Sequence, residues 1–135
     1  MKIYQVDAFT SKLFGGNPAG ICPLEEWLDN DTMQRIAAEN NLSETAFFVD
    51  RGEWFEITWY TPKAEVDLCG HATLGSAHII FNHFNYPFDA IMFDTKKHGA
   101  LYARRHNGLI ALDFPAGNPE PADIPDILTK ALGRR

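Results

Sequence analysis

The sequence predicts an α+β fold in which a mixed, largely antiparallel β-sheet wraps around one central, buried helix. Residues 70 to about 84 have helical periodicity, with apolar side chains around most of the circumference, as in a helix enclosed on all sides. Short segments of β-forming residues, separated by turn signals, precede and follow this helix. The 135-residue chain is 45% hydrophobic and 22% charged, which is typical of an ordinary globular domain.

The first part of the chain combines short strands with one amphipathic helix. Strands are predicted over residues 3–9, 19–24, 43–49 and 54–60. Residues 11–18 form a glycine-rich turn between the first two strands. A helix is predicted over residues 31–40, with Asp31 as its N-cap and Gln34 completing a capping box. Asn40 and Asn41 end this helix, because asparagine tolerates the left-handed conformation.

The part that follows the buried helix predicts an antiparallel meander. Strands are predicted over residues 90–94, 100–104 and 109–114. The second connection contains Asn107-Gly108, and Asn-Gly is a strong hairpin signal. Residues 115–125 are rich in Pro, Gly and Asp and are typical of a linker, and residues 127–132 favour a short helix. We therefore expect a folded region over residues 1–117, followed by a linker and a short helix over 118–135, as at a boundary within a larger protein.

Composition and charge exclude several classes of protein. The net charge of −6 argues against a nucleic-acid partner. No apolar run is long enough to cross a bilayer, so no membrane contact is expected. The N-terminal segment lacks the apolar core and cleavage site of a signal peptide. Cys22 and Cys69 do not make a disulfide framework, and a cytoplasmic location is expected.

The richest chemistry lies in the segment 65–78, where an acidic, extended stretch runs into Cys69, Gly70 and His71 at the predicted start of the buried helix. Glycine allows a close approach of the backbone to a ligand. A helix start presents free N–H groups and the positive end of the helix dipole. Together they offer a pocket for a carboxylate or phosphate, beside a thiol and an imidazole. The pattern suggests chemistry on a small anionic molecule.

Three sequence blocks resemble those of the phenazine-biosynthesis-like (PhzF-type) isomerases, whose fold is shared with diaminopimelate epimerase and proline racemase. Residues 6–20 include FGGNPAG, residues 41–47 read NLSETAF, and residues 60–73 include EVDLCGHAT. Members of this family have two similar lobes with the active site between them, and the chain resembles the first lobe and its connector. In related enzymes a C-terminal strand returns to complete the first lobe, which implies an open sheet edge here.

The resemblance implies a role for each residue of the site. Glu44 corresponds to a glutamate that takes a proton from a carbon acid and returns it to another carbon, which shifts a double bond. Backbone N–H groups at Gly70 and His71 would hold the carboxylate of the substrate, and His71 would contact the substrate or relay a proton. Asn17 and Ser43 would line the site. Simpler interpretations remain open: Glu44 as an exposed strand residue, His71 bonded to a carbonyl, Asn17 as a turn residue.

Cys69 carries a second hypothesis, because a cysteine in a Cys-Gly context is a thiol base in the related epimerases and racemases. A helix N-terminus lowers the pKa of a thiol, which would favour the reactive thiolate. The glutamate motif favours the isomerase branch instead. A small buried apolar residue is the simpler interpretation for Cys69, and for Cys22 as well.

A third hypothesis is a catalytically inert lobe that acts as a binding module. For any active form we expect a homodimer or pairing with a second lobe, and a small carboxylate-bearing substrate. We expect no metal, because His71 and His78 lie two helical turns apart and no Cys/His cluster is evident in the sequence. Gly15-Gly16 lacks the residues that follow in a P-loop, and no nucleotide or flavin cofactor is expected.

Overall fold

A computed structural model describes residues 1–133 of the chain. It has eight strands and three helices: β1 (Tyr4–Ala8), β2 (Asn17–Leu24), α1 (Asn30–Asn40), β3 (Glu44–Asp50), β4 (Phe55–Tyr60), β5 (Glu65–Val66), α2 (Gly70–His83), β6 (Ala90–Thr95), β7 (Gly99–His106), β8 (Leu109–Asp113) and α3 (Asp126–Ala131). Each predicted strand and helix is present, with bounds that shift by one or two residues. The two-residue strand β5 is an addition to the prediction.

The strands form one mixed sheet in the order β1-β2-β3-β4-β6-β7-β8, with β5 paired to β4. β2 pairs with β3 in parallel, as does β4 with β6, and the other pairs are antiparallel. Each parallel pair is connected through a helix, α1 in the first case and α2 in the second, as parallel pairs require. The largely antiparallel sheet and the β6–β8 meander are confirmed.

Helix α2 lies inside the curve of the sheet and contacts β1, β2, β3 and β8. Nine of its fourteen residues are buried, which confirms the predicted central helix. The helix approaches β2 closely, because a Cβ atom added at Gly75 would lie 3.1 Å from Ile21 Cδ1. The buried hydroxyls of Thr73 and Ser76 donate to carbonyl oxygens one turn back in the same helix. Burial of this polar pair therefore leaves no donor unsatisfied.

Helix α1 covers the opposite face of the sheet. Its buried residues Met33 and Ala37 pack with Cys22, Phe47 and Tyr60. Phe48, by contrast, packs in the main core with α2. Successive side chains of a strand point to opposite faces, so Glu44 shares the α2 face of β3 with Ala46 and Phe48. The sequence pattern along β3 thereby directs Glu44 towards the buried helix.

The predicted cap of α1 is wrong. The helix begins at Asn30, and its N-cap is Asp29, whose Oδ1 accepts a hydrogen bond of 2.9 Å from the Thr32 N–H. Thr32 also donates its hydroxyl to Asp29 Oδ2 at 2.8 Å, and this second bond favours Asp29 over Asp31 as the cap. Gln34 makes no capping box, because its side-chain amide donates to Thr61 O. The helix ends as predicted, with Asn41 in the left-handed region at φ 50°.

β1 and β8 are the two ends of the strand order, and each pairs on one side only among the described residues. The sheet is therefore curled but not closed, in line with the open edge that the resemblance implies. The segment between β8 and α3 has no regular structure, and α3 buries none of its residues. None of the helices within residues 1–133 has the length and apolar character needed to cross a membrane.

Candidate active site

Three elements begin at the same end of the molecule. In the parallel pair β2–β3, Ala19 lies beside Glu44, so the two strands start at the same end of the sheet. Asn17 opens β2, and Ser43 immediately precedes β3. Helix α2 opens at the same place, with Cys69 as its N-cap residue. The fold thus brings together residues that are up to 54 positions apart in sequence, Asn17 and His71.

His71 is the centre of this cluster. Its Nε2 lies 3.3 Å from Glu44 Oε2 and 3.2 Å from Ser43 Oγ. Its Nδ1 lies 3.4 Å from Cys69 Sγ. The imidazole is therefore held by three side chains. The simpler interpretation expected a bond to a carbonyl oxygen instead. His71 and Cys69 are buried, whereas 22% of the Glu44 side chain and the residue Ser43 are exposed, so the cluster opens to solvent on the side of β3.

Ser43 links the imidazole to strand β2. Its hydroxyl oxygen lies 3.0 Å from Pro18 O and 3.1 Å from Asn17 Oδ1, in addition to the contact with His71. Asn17 is placed by Gly16, which has φ 75° and no room for a Cβ atom against the carbonyl oxygen of Ala8. Turn geometry therefore explains Gly16, and the side chain of Asn17 joins the hydrogen-bonded cluster.

Gly70 has a less special position than its sequence context suggests. Its φ lies outside the left-handed region, and an added Cβ atom would make an ordinary contact of 3.6 Å with Phe114 Cε2. The ring of Phe114, a residue just beyond β8, therefore lies beside the start of α2. Sequence reasoning did not find this residue, because a lone aromatic before a proline carries no signal of a site 44 positions away.

Burial raises the pKa of the Cys69 thiol to about 11, and the nearby charge of Glu44 acts in the same direction. The N–H groups of Ala72 and His71 lower this pKa, but burial is the larger influence. The lowered pKa expected for a thiol at a helix N-terminus is therefore wrong for Cys69. At neutral pH the group is a protonated thiol, and it lacks the thiolate character that a thiol base requires.

The raised pKa makes a prediction for alkylation. In a Cys22→Ala variant, which leaves Cys69 as the only thiol, iodoacetamide at pH 8 is expected to react at least about 100-fold more slowly than with free cysteine, since the thiolate is the nucleophile. The rate should rise with pH until about pH 11. The rate of alkylation is measured by mass spectrometry of samples quenched at successive times. A rate that levels off below pH 8 would contradict the raised pKa.

Glu44, Cys69 and His71 each place one potential metal-ligand atom within 4.8 Å of the others. The sequence pattern did not reveal this group, because Glu44 lies on a distant strand. A cation would require loss of the thiol proton, and it would displace the hydrogen bonds that His71 makes on both ring nitrogens. The contacts fit a hydrogen-bonded cluster better than a cation site. His78 is exposed and contacts Asn82 rather than this cluster.

The family profile for phenazine biosynthesis-like proteins matches residues 6–131. The chain belongs to this family. An uncharacterized isomerase of Pseudomonas aeruginosa is 49% identical over 133 residues, and the match covers 98% of the chain and 51% of that relative. A human phenazine biosynthesis-like domain-containing protein is 41% identical over 144 residues, with 98% of the chain and 50% of the relative covered.

The fold of the family is confirmed by solved structures. A crystal structure of a phenazine biosynthesis protein of the PhzF family from Enterococcus faecalis matches with a TM-score of 0.89 and 44% identity. The match covers 97% of this chain and 50% of that one. The chain thus spans about half the length of the family members it matches.

Proposed function

We propose that this family member is one lobe of a cofactor-independent isomerase, in which Glu44 moves a proton on a small carboxylate-bearing substrate and thereby shifts a double bond. The observation that carries the proposal is the Glu44–His71 contact of 3.3 Å at the open end of the central helix. It supplies a carboxylate that can accept and return a proton, beside a group that can orient it.

Glu44 is suited to proton transfer by its place in the fold. The residue begins β3 on the face that packs against α2, and its side chain is partly exposed while the rest of β3 up to Val49 is buried. A substrate that rests on the start of α2 could therefore reach this carboxylate. His71 is held by Cys69 and Ser43, so it gives the carboxylate a fixed partner throughout the reaction.

The start of α2 favours an anionic substrate. The first N–H groups of a helix have no partner within the helix, and the helix dipole places partial positive charge there. Gly70 and His71 are the first two residues of the 14-residue α2. We propose that their N–H groups bind the carboxylate of the substrate, and that Asn17 and Ser43 line the same cleft.

Hydrogen exchange tests the proposed activity directly. The protein is incubated in heavy water with a panel of small unsaturated carboxylic acids that carry an acidic C–H next to a double bond. Deuterium incorporation into the acid, followed by NMR, is the expected result, because a proton held on Glu44 would be replaced by solvent deuterium. Absence of incorporation for every acid, in the assembled protein described below, would contradict an isomerase activity.

The epimerase or racemase hypothesis is less well supported. It requires Cys69 as a thiolate base, whereas burial raises the pKa of this thiol to about 11. In addition, Cys69 Sγ contacts His71 Nδ1, so the sulfur faces the imidazole. The geometry therefore favours Glu44 as the base. A binding module without catalysis would retain the anion site but show no exchange.

We also propose that a second lobe, or a second copy of this lobe, completes the cleft. The chain spans about half the length of its relatives, and the sheet leaves one side of β1 and of β8 unpaired in the part that the structure describes. Native mass spectrometry on the protein from its own source is expected to show a species near twice 15.2 kDa. A second mass measurement after denaturation distinguishes one long polypeptide from two copies of the chain. A 15.2 kDa monomer as the sole species would contradict the pairing.

A further inference from the structure

The protons around His71 can be assigned by counting donors and acceptors. On the Nε2 side, Glu44 offers a carboxylate oxygen at 3.3 Å, which as a carboxylate only accepts. Ser43 has a single hydroxyl proton, and two further acceptors compete for it, Pro18 O at 3.0 Å and Asn17 Oδ1 at 3.1 Å. A lone pair of the Ser43 oxygen is therefore left to face His71 Nε2.

Both neighbours of Nε2 thus require a donor, and Nε2 carries the proton. A neutral imidazole has one N–H and one bare nitrogen, so Nδ1 is the acceptor of this ring. The neighbour of Nδ1 is Cys69 Sγ at 3.4 Å, within the range of a hydrogen bond to sulfur. Both side chains are more than nine-tenths buried, so water does not readily replace the thiol as the donor.

We propose that Cys69 is a positioning residue, whose S–H donates to His71 Nδ1 and holds the imidazole in the tautomer that carries its proton on Nε2, beside Ser43 and Glu44. The catalytic meaning of this inference rests on the proposed function, since Nε2 lies 3.3 Å from the carboxylate that is proposed as the base. The assignment of the tautomer applies to the neutral ring and depends on the described contacts, with no part played by a substrate. In this arrangement the thiol acts through the imidazole and does not touch the substrate.

The arrangement forms a directed chain of hydrogen bonds. It runs from the Cys69 thiol to His71 Nδ1, and from His71 Nε2–H to Ser43 Oγ, while Glu44 Oε2 lies 3.3 Å from the same nitrogen. The opposite tautomer would place an N–H against the thiol and leave Nε2 bare in front of a carboxylate and a hydroxyl lone pair. That juxtaposition of acceptors is unfavourable in a buried site. The second nitrogen of a histidine commonly sets the tautomer in this way.

Nitrogen NMR of the 15N-histidine-labelled chain tests the assignment without an activity assay. The shifts and ring-proton couplings distinguish a protonated ring nitrogen from a bare one. We expect the Nε2–H form of His71 at neutral pH in the unaltered chain. Detection of Nδ1–H as the dominant form, or of a ring protonated on both nitrogens, would overturn the proposal, whichever variants fold. Because no substrate is used, failure here is distinct from failure of the proposed isomerase activity.

Variants of the thiol then test its role. Cys69→Ser keeps a donor and should keep the Nε2–H form, whereas Cys69→Ala loses the donor and should lower the Nε2–H to Nδ1–H ratio at least about threefold, as expected for one hydrogen bond. Cys22→Ala is the matched control, since Cys22 is a second buried thiol in the separate cluster beneath α1. An unchanged ratio in Cys69→Ala, or an equal change in Cys22→Ala, would overturn the positioning role.

Discussion

Replacement of Glu44 by glutamine is expected to lower the rate of deuterium exchange into the substrate by about 10²- to 10⁴-fold, the range usual for loss of a positioned acid–base group. Glutamine keeps the size of the side chain, but its amide can neither take nor return the proton. The contact with His71 is also changed, because an amide does not carry the charge that the carboxylate presents to Nε2. The measurement is the initial rate of exchange with the most active acid of the panel.

Glu56→Gln is the matched control for this variant. Glu56 is also a partly buried strand glutamate, but it lies beside Val49 at the other end of β3 from Glu44. Its carboxylate binds Arg51 at 2.8 Å and the Trp27 indole N–H at 2.7 Å. The control should therefore leave exchange unchanged. Exchange retained in Glu44→Gln, with circular dichroism showing both variants folded, would refute Glu44 as the base.

Replacement of Gly16 by alanine is expected to be the most destabilising of the conservative changes considered, with a loss of about 3 kcal/mol in the free energy of unfolding. Two effects add at this position. The backbone has φ 75°, which disfavours any L side chain, and a Cβ atom would overlap the carbonyl oxygen of Ala8. Ala8 pairs with Asn17 at the start of β2, so relief of the overlap would part these strands beside the site.

Gly52→Ala separates the two effects at Gly16. Gly52 has φ 87°, but nothing lies within 4 Å of an added Cβ atom. Its replacement should therefore show only the cost of the left-handed conformation, about 1 kcal/mol. Urea unfolding of both variants measures the difference. Equal losses would mean that the turn adjusts without hindrance and that the close approach to Ala8 contributes nothing.

The central helix and the meander could be predicted from sequence, because their signals are local. The apolar residues around α2 indicate burial whatever encloses it, and Asn107-Gly108 specifies a hairpin by its own backbone preferences. The predicted cap of α1 is wrong, because the cap depends on side-chain bonds within the folded turn. The spacing of Asp31 and Gln34 predicts Asp31 as the cap, whereas the paired bonds to Thr32 make Asp29 the cap.

The site depends on contacts that no local pattern contains. Sequence spacing does not place Glu44 beside His71. The resemblance implies a common site, and the packing of β3 against α2 brings the two residues together. The pKa of the Cys69 thiol shows most clearly what local sequence cannot predict. Its position at a helix N-terminus predicts a lowered pKa, but burial depends on the whole fold and raises it. The ring of Phe114 beside Gly70 is a long-range contact of the same kind.

The enclosure of α2 has a consequence for the order of folding. The helix packs against β1, β2 and β3, which precede it in the chain, and against β8, which follows it. Its apolar surface therefore cannot be fully covered until segments at both ends of the lobe have met. Folds dominated by such distant pairings cross their barrier slowly, since long loops must close before contacts stabilise them. During synthesis, the side of α2 that packs against β8 stays uncovered until β8 has left the ribosome, so the lobe completes its core only after most of its sequence is made.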